Sequence, residues 1–256
     1  MIRVTYVGHA TVEIETSGMR LLTDPVLRER VAHLRRLTPL PALDELDHPD
    51  AVLISHAHFD HLDKRSLRLL RACPAIAPRG CARLLRRAGF SDVTEAVPGE
   101  PVQVGEARVH PIAVAHDGRR HPISRARQTL GYVIEGAGRA FFAGDTDVFD
   151  AMSRVAGGLD VALLPIWGWG PRVGRGHMDP VRAARAVALL EPRVAIPLHW
   201  GTLASPRAPW VGDPERPARE FAERVAASAP AVEVRVLAPG ERTEIAARPA
   251  GGSEPE

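Results

Sequence analysis

The sequence predicts an α/β protein in which β-sheets are sandwiched between layers of helix, an αββα arrangement. Three observations carry this. Strand and helix patterns interleave twice along the 256 residues, each half holding several strands before its helices. Short apolar runs at 51–54, 161–164 and 194–198 read as strands, the first of the kind buried on both faces. No fixed-period repeat and no linker divides the chain. Residues 1–246 are therefore expected to form one domain, and the small, polar stretch 247–256 a disordered tail.

Taken in order, paired strands are expected at 2–7 and 11–15, joined by a tight turn at Gly8-His9. A third, 19–23, stops at Asp24-Pro25, where proline ends ladder pairing. Residues 25–49 are rich in Arg, Pro and Leu without clear period and read as a loop with a short helix. After the strand 51–54, helical spacing covers 63–72, with Asp63 as N-cap, and 79–88, closed by Gly89. Strands return at 102–104, 108–115, 131–134, 139–143, 161–164 and 194–198. Helices are expected at 148–155 and 180–190, the second with Asp179 as N-cap and Pro180 at the first helical position. A last helix over 215–228 precedes a terminal strand, 232–237.

Composition narrows the partners. Hydrophobic residues make up 45% and charged residues 25%, ordinary usage for a soluble globular chain. Against 33 basic residues stand 31 acidic ones, so the net charge of +2 gives no reason to propose nucleic acid. Lys64 is the only lysine, a compositional bias toward arginine rather than a mechanism. Cys73 and Cys81, read with the helical stretches, make no disulfide framework and are expected as buried small apolar residues. No apolar run approaches the roughly 18 residues of a membrane span, and no charged-then-apolar leader follows Met1. A cytoplasmic protein without integral membrane association is expected, acting on a small molecule; a homo-oligomer is compatible with this composition.

The informative segment is Ser55-His56-Ala57-His58-Phe59-Asp60-His61-Leu62-Asp63, directly after a buried strand. In extended backbone His56 and His58 point the same way, so both imidazoles can hold one metal. Asp60 and His61 lie further along the turning loop and can serve a second. Imidazole and carboxylate suit zinc, iron or manganese.

This His-x-His-x-Asp-His run after a strand resembles the hallmark motif of the metallo-β-lactamase superfamily. The resemblance implies two mixed β-sheets packed face to face, helices on both outer faces, and two metals at one edge. It also implies further ligands at downstream strand ends. His116, Asp145 and His199 stand at such positions. By the family pattern His56, His58 and His116 bind one metal, Asp60, His61 and His199 the other, and Asp145 bridges them. His110 and His121 compete with His116, and Asp147 competes with Asp145.

Departures exclude some relatives. True metallo-β-lactamases place a cysteine at the Asp145 position, di-iron flavoproteins a glutamate at the His58 position, and glyoxalase-type enzymes glycines where Leu62-Asp63 follows. The sequence is more similar to a branch holding N-acyl-phosphatidylethanolamine-hydrolysing phospholipase D and ascorbate-6-phosphate lactonase. The similarity rests on Gly8-His9-Ala10-Thr11, Leu22-Thr23-Asp24-Pro25, residues 51–63 and 141–146, His177-Met178-Asp179-Pro180 and His199-Trp200-Gly201-Thr202.

Supporting residues are weighed alongside. Asp24 either accepts a hydrogen bond from a ligand histidine or caps a turn. His9 and His177 are candidates, with Asp145, for direct roles in catalysis. Trp167 and Trp169, in a glycine-rich stretch, either wall a pocket or cover core. Arg119, Arg120, Arg125 and Arg127 follow His116 and suit phosphate oxygens.

These readings imply a metal-dependent hydrolase with two divalent ions, most simply zinc, otherwise manganese or iron. A hydroxide bridging the ions would cleave a phosphodiester or phosphorylated lactone. The rival readings are a mononuclear-iron oxidoreductase on the same fold and a non-catalytic metal-binding regulator.

Overall fold

The computed structural model describes all residues except 43–47, 121–126, 208–211 and 248–256. The chain opens with β1 (Ile2–Gly8), β2 (Thr11–Thr16), β3 (Met19–Thr23), β4 (Arg30–Val31), β5 (Leu34–Arg36) and β6 (Ala51–Leu53). Next come α1 (Lys64–Leu67), β7 (Ala75–Pro78), α2 (Ala82–Arg86), β8 (Val93–Ala96), β9 (Val102–Val104), β10 (Ala107–Ala113), β11 (Leu130–Glu135) and β12 (Arg139–Phe142). The last part holds β13 (Val161–Pro165), α3 (Pro180–Leu190), β14 (Val194–Leu198), β15 (Leu203–Ala204), α4 (Arg216–Ser228), β16 (Glu233–Val234) and β17 (Arg242–Ile245).

Two seven-stranded sheets result, one in the order β17-β1-β2-β3-β6-β7-β8 and the other β16-β14-β13-β12-β11-β10-β9. Both are mixed. Hairpins make the antiparallel parts, β1-β2-β3 and β9-β10-β11-β12. Parallel neighbours, β3-β6-β7-β8 and β12-β13-β14-β16, are joined by longer crossings. A small third sheet pairs β15, β5 and β4.

Alternation along each strand sorts side chains to the two faces. Ile2, Val4, Tyr6, Val12, Ile14 and Leu53 meet Val109, Tyr132, Phe142, Leu163 and Ile196 in the layer between the sheets. On the outer face of the second sheet, Phe141, Ala162, Leu164 and Ala195 pack against Val187 and Leu190 of α3 and Phe221 and Val225 of α4. Outside the first, Val52, Ile54 and Ala75 pack against Leu67 of α1 and Leu85 of α2. β6, β13 and β14 are thus buried on both faces, which is why they read as unbroken apolar runs.

Several expectations are corrected. Within 25–49 the described residues hold a hairpin not expected there, and 43–47, the rest of the stretch where a short helix is expected, lie outside the described residues: β4 and β5 pair, and Arg36 is buried because Nη2 donates to the Val7 carbonyl (2.5 Å) and Nη1 to the Val26 carbonyl (3.3 Å). α1 spans four residues rather than 63–72, although Asp63 caps it, accepting from Ser66 N at 3.0 Å. Over 148–155 only a single 3-10 turn forms, at Met152–Arg154. The strand expected at 232–237 shrinks to β16, and the terminal edge strand is β17. Cys73 and Cys81 are buried and free, as expected, but lie outside the helices. α3 starts as its cap predicts, with the Asp179 carboxylate accepting from Arg182 N at 2.8 Å. Among the described residues no helix is long and apolar enough to cross a membrane.

Candidate metal centre

Five strand ends and one turn converge at a single place. β6 runs into Ser55–His61, β3 ends at Asp24, and β1 turns into β2 through His9. His116 follows β10, Asp145 follows β12, and His199 follows β14. The backbone there is under constraint: His9, Asp24 and His199 all hold positive φ, at 59°, 34° and 63°. Gly144, at φ 60°, precedes Asp145 where a Cβ would stand 2.6 Å from Ser55 Cβ. Only glycine lets the β12 end pass the β6 end this closely.

Among the described residues three groups of ligand atoms form, each within 4.8 Å: His56, His58, His116 and Asp145; His9, Asp60, His61 and His199; and Asp24, His56 and His61, the carboxylate here being taken by hydrogen bonds from Ser55 and His61. Asp145 reaches the first two. Its Oδ2 lies 3.7 Å from His56 Nε2, 4.0 Å from His116 Nε2 and 3.1 Å from His61 Nε2, while Oδ1 lies 3.2 Å from His199 Nε2.

Outer partners decide which nitrogen of each ring faces inward. Ser55 Oγ donates to Asp24 (2.5 Å) and so accepts from His56 Nδ1 (2.9 Å). His61 Nδ1 donates to Asp24 Oδ2 (2.8 Å), and His116 Nδ1 to the Gly176 carbonyl (2.8 Å). Each bond leaves Nε2 bare and aimed at the cluster. The inward-facing ring nitrogens approach one another: His56 Nε2 lies 2.8 Å from His58 Nδ1, His58 Nδ1 3.3 Å from His116 Nε2, and His61 Nε2 3.1 Å from His199 Nε2. Ring nitrogens that close must share a proton or a cation, and ligands on a tetrahedral ion with bonds of about 2.0–2.1 Å sit roughly 3.3 Å apart. Asp145 Oδ1, between the two clusters, is buried without a hydrogen-bond partner among the described residues, as expected of an atom kept for a ligand. The donor set fits bound metal.

Charge states agree. Burial pushes the Asp60 and Asp145 carboxyls up, but His61, His9 and His199 around Asp60, and His199, His61 and His177 around Asp145, hold both well below the usual carboxylate range. Burial holds His56 and His199 well below the ordinary imidazole value, hence neutral. Burial also opposes charge on His61, yet Asp145, Asp60 and Asp24 raise it well above that value, so metal binding there displaces a proton.

The competing positions are occupied elsewhere. His110 Nε2 pairs with Glu135 at 2.8 Å on β10, and Asp147 is turned to Arg182 and Val148 N. His121 and Arg125 lie outside the described residues. His9 Nε2 lies 3.0 Å from Asp60 Oδ2, so it holds a candidate ligand carboxylate, and His177 Nε2 lies 3.1 Å from Asp145 Oδ2. Asp24 serves as an acceptor for His61 and Ser55 rather than only as a turn cap. Trp167 donates to the Gly170 carbonyl, and Trp169 packs on the small core of Val26, Val31, Leu34 and Leu203. Among the described residues the arginines after His116 are not gathered as a phosphate site: Arg119 pairs with Asp117, Arg127 Nε donates to the Gly80 carbonyl, and Arg120 lies on the loop of His58, Asp60 and His61. Sequence reasoning missed Ser55, the Gly176 carbonyl and Thr202, which accepts from His9 N at 2.9 Å. Of these Ser55 carried a signal as the direct neighbour of His56, and Thr202 as the end of the His199-Trp200-Gly201-Thr202 motif.

An αββα sandwich with paired His/Asp clusters at the rim defines a metal-dependent hydrolase of the metallo-β-lactamase kind. The chain belongs to the Beta-lactamase superfamily domain family, which matches residues 19–200, and within it to the UPF0173 metal-dependent hydrolases. It is 33% identical to the UPF0173 metal-dependent hydrolase of Aeropyrum pernix, over 96% of this chain and 98% of that one. Among solved structures, the metallo hydrolase Igni18 of Ignicoccus hospitalis superposes with a TM-score of 0.70 at 25% identity, covering 94% of this chain and 97% of that one. The di-iron β-hydroxylase CmlA of Streptomyces venezuelae shares the fold, with a TM-score of 0.69 at 22% identity, over 94% of this chain and 53% of its own.

Proposed function

We propose that this hydrolase works with two divalent ions, zinc first and manganese or iron as alternatives, on a phosphodiester or phosphorylated lactone. The observation that carries the reading is Asp145, one carboxylate facing both clusters. His56, His58 and His116 would hold one ion, Asp60, His61 and His199 the other, and Asp145 both. Bound there, the ions would supply Lewis acidity and lower the pKa of water toward about 7. The protein's own groups do the rest. Asp60 and Asp145 offset only part of the charge of two divalent ions, so the pocket favours an anion. His9 fixes Asp60. His177 offers Nδ1 to the Arg175 carbonyl (3.1 Å) and Nε2 to Asp145, so an imidazolium satisfies both acceptors and places a proton at Nε2 for a leaving group.

A cleft of about 110 Å³ beside His177, lined by Gly168, Trp169, Gly170, Arg172 and Gly174, supports a small substrate. Arg172, which lines it, would offer a guanidinium to phosphate oxygens. The motifs shared with the phospholipase and lactonase branch point the same way. The one-iron oxidoreductase reading is less well supported, because both clusters present inward-facing donors; the likeness to CmlA is one of fold alone.

The test is elemental analysis of purified protein together with turnover of bis-p-nitrophenyl phosphate, in wild type and Asp145→Asn. Two ions per chain are expected. The variant should lose metal and about a hundredfold or more of its turnover. A single ion that does not rise with added zinc would overturn the two-metal reading. Turnover of neutral esters with phosphodiesters and phosphorylated lactones ignored would overturn the phosphate reading.

A further inference from the structure

Loop 57–62 carries His58, Asp60 and His61 in six residues with little regular structure, its own backbone bonds being His61 N and Leu62 N to the His58 carbonyl. What braces it comes from outside. Arg120 Nη1 donates to the Ala57 carbonyl at 2.6 Å and to the Leu62 carbonyl at 3.2 Å, and Nη2 donates to Leu62 again at 3.2 Å. The guanidinium carbon stands 4.1 Å over the centroid of the Phe59 ring. One planar group therefore grips the loop at both ends and in the middle, across 63 and 58 residues of sequence. No ion pair joins Arg120 to a carboxylate among the described residues; burial and the neighbouring Arg127 lower its pKa, against a smaller opposing pull from Asp63 and Asp60.

We propose that Arg120 is a positioning residue that pins the ligand loop and thereby sets how tightly the centre holds its second metal. The proposal rests on the metal reading of Asp60 and His61. Its geometry uses what only arginine has, a rigid fork of donors that also stacks on an aromatic face.

The alternative is that Arg120 acts only as a nearby charge, and the two readings differ in sign. A bare positive charge beside a metal site repels the ion, so Arg120→Met would tighten binding. A pin, once removed, loosens the loop, so Arg120→Met would weaken it. Changes in groups that support metal ligands cost about 10–100-fold in affinity.

The experiment loads wild type, Arg120→Met and Arg120→Lys with zinc and follows its transfer to a chromophoric chelator. Amide hydrogen exchange over 57–62 is read on the metal-free proteins, with thermal melting as a control of the fold. Arg120→Met should lose zinc about tenfold or more faster and exchange faster only in this loop. Arg120→Lys, which keeps charge but not the fork, should fall between. Zinc held equally or more tightly by Arg120→Met, or exchange over 57–62 unchanged, would overturn the pin. A wild-type chain that takes up no zinc would instead defeat the metal reading, and loop exchange would still decide the role of Arg120. Should Arg120→Met fail to fold, Arg120→Lys is read alone: loop exchange and zinc retention equal to wild type would overturn the pin.

Discussion

Asp24 takes the Nδ1 proton of His61 at 2.8 Å in a fully buried contact, while its other oxygen accepts from Ser55 N at 2.7 Å. One side chain thereby orients a ring in each cluster, His61 directly and His56 through Ser55. Asp24→Asn keeps the shape but turns an NH2 toward groups that are all donors. Metal affinity should fall about 10–100-fold, read by competition with a chelator, with the metal-free protein still folded. Wild-type affinity in that variant would reduce Asp24 to a turn residue.

The two thiols should be silent in the folded protein. Burial pushes Cys73 and Cys81 each up to about 11. At pH 8 iodoacetamide should label neither in native protein and both in urea. The sign for stability follows from linkage: the fold retains protons that the unfolded chain loses from about pH 9 upward. This contribution is complete below pH 9 and disappears as pH rises through 11, so urea midpoints should decline across that window.

Asp179 and Pro180 start α3, whose inner face covers the second sheet. Asp179→Ala removes the bond to Arg182 N and should cost about 1 kcal/mol, lowering Tm by about 2–4 °C in a chain of this size. His177 lies two residues upstream, so turnover should be measured alongside; a loss of turnover beyond the stability change would mean that the cap also aims His177.

The centre was legible where its residues are neighbours in sequence. His56, His58, Asp60 and His61 announce themselves by spacing, whereas the grouping of His116, Asp145 and His199 with them came from a resemblance. Periodicity alone could not have joined residues that meet only after two sheets pack. Elements were missed where burial is achieved by unusual means. Arg36 on β5 reads as surface, but backbone carbonyls bury it. β8 and β17 sit at the two ends of the first sheet, and their polar residues, Thr94, Glu95, Arg242 and Glu244, hide an edge strand from a search for apolar alternation. The arginines after His116 mislead for the opposite reason: charge suggested phosphate, while geometry gives Arg120 to a peptide loop.

The division of the donors between the two sheets has a consequence for how the molecule comes into being. Four ligand candidates arrive by residue 61 from the first sheet, and three more from the second, the last at residue 199. An ion captured by all of them is a rivet through both plates of the sandwich. A chain emerging from the ribosome cannot close that rivet until β14 is made, so tight metal uptake would mark the end of folding rather than its beginning.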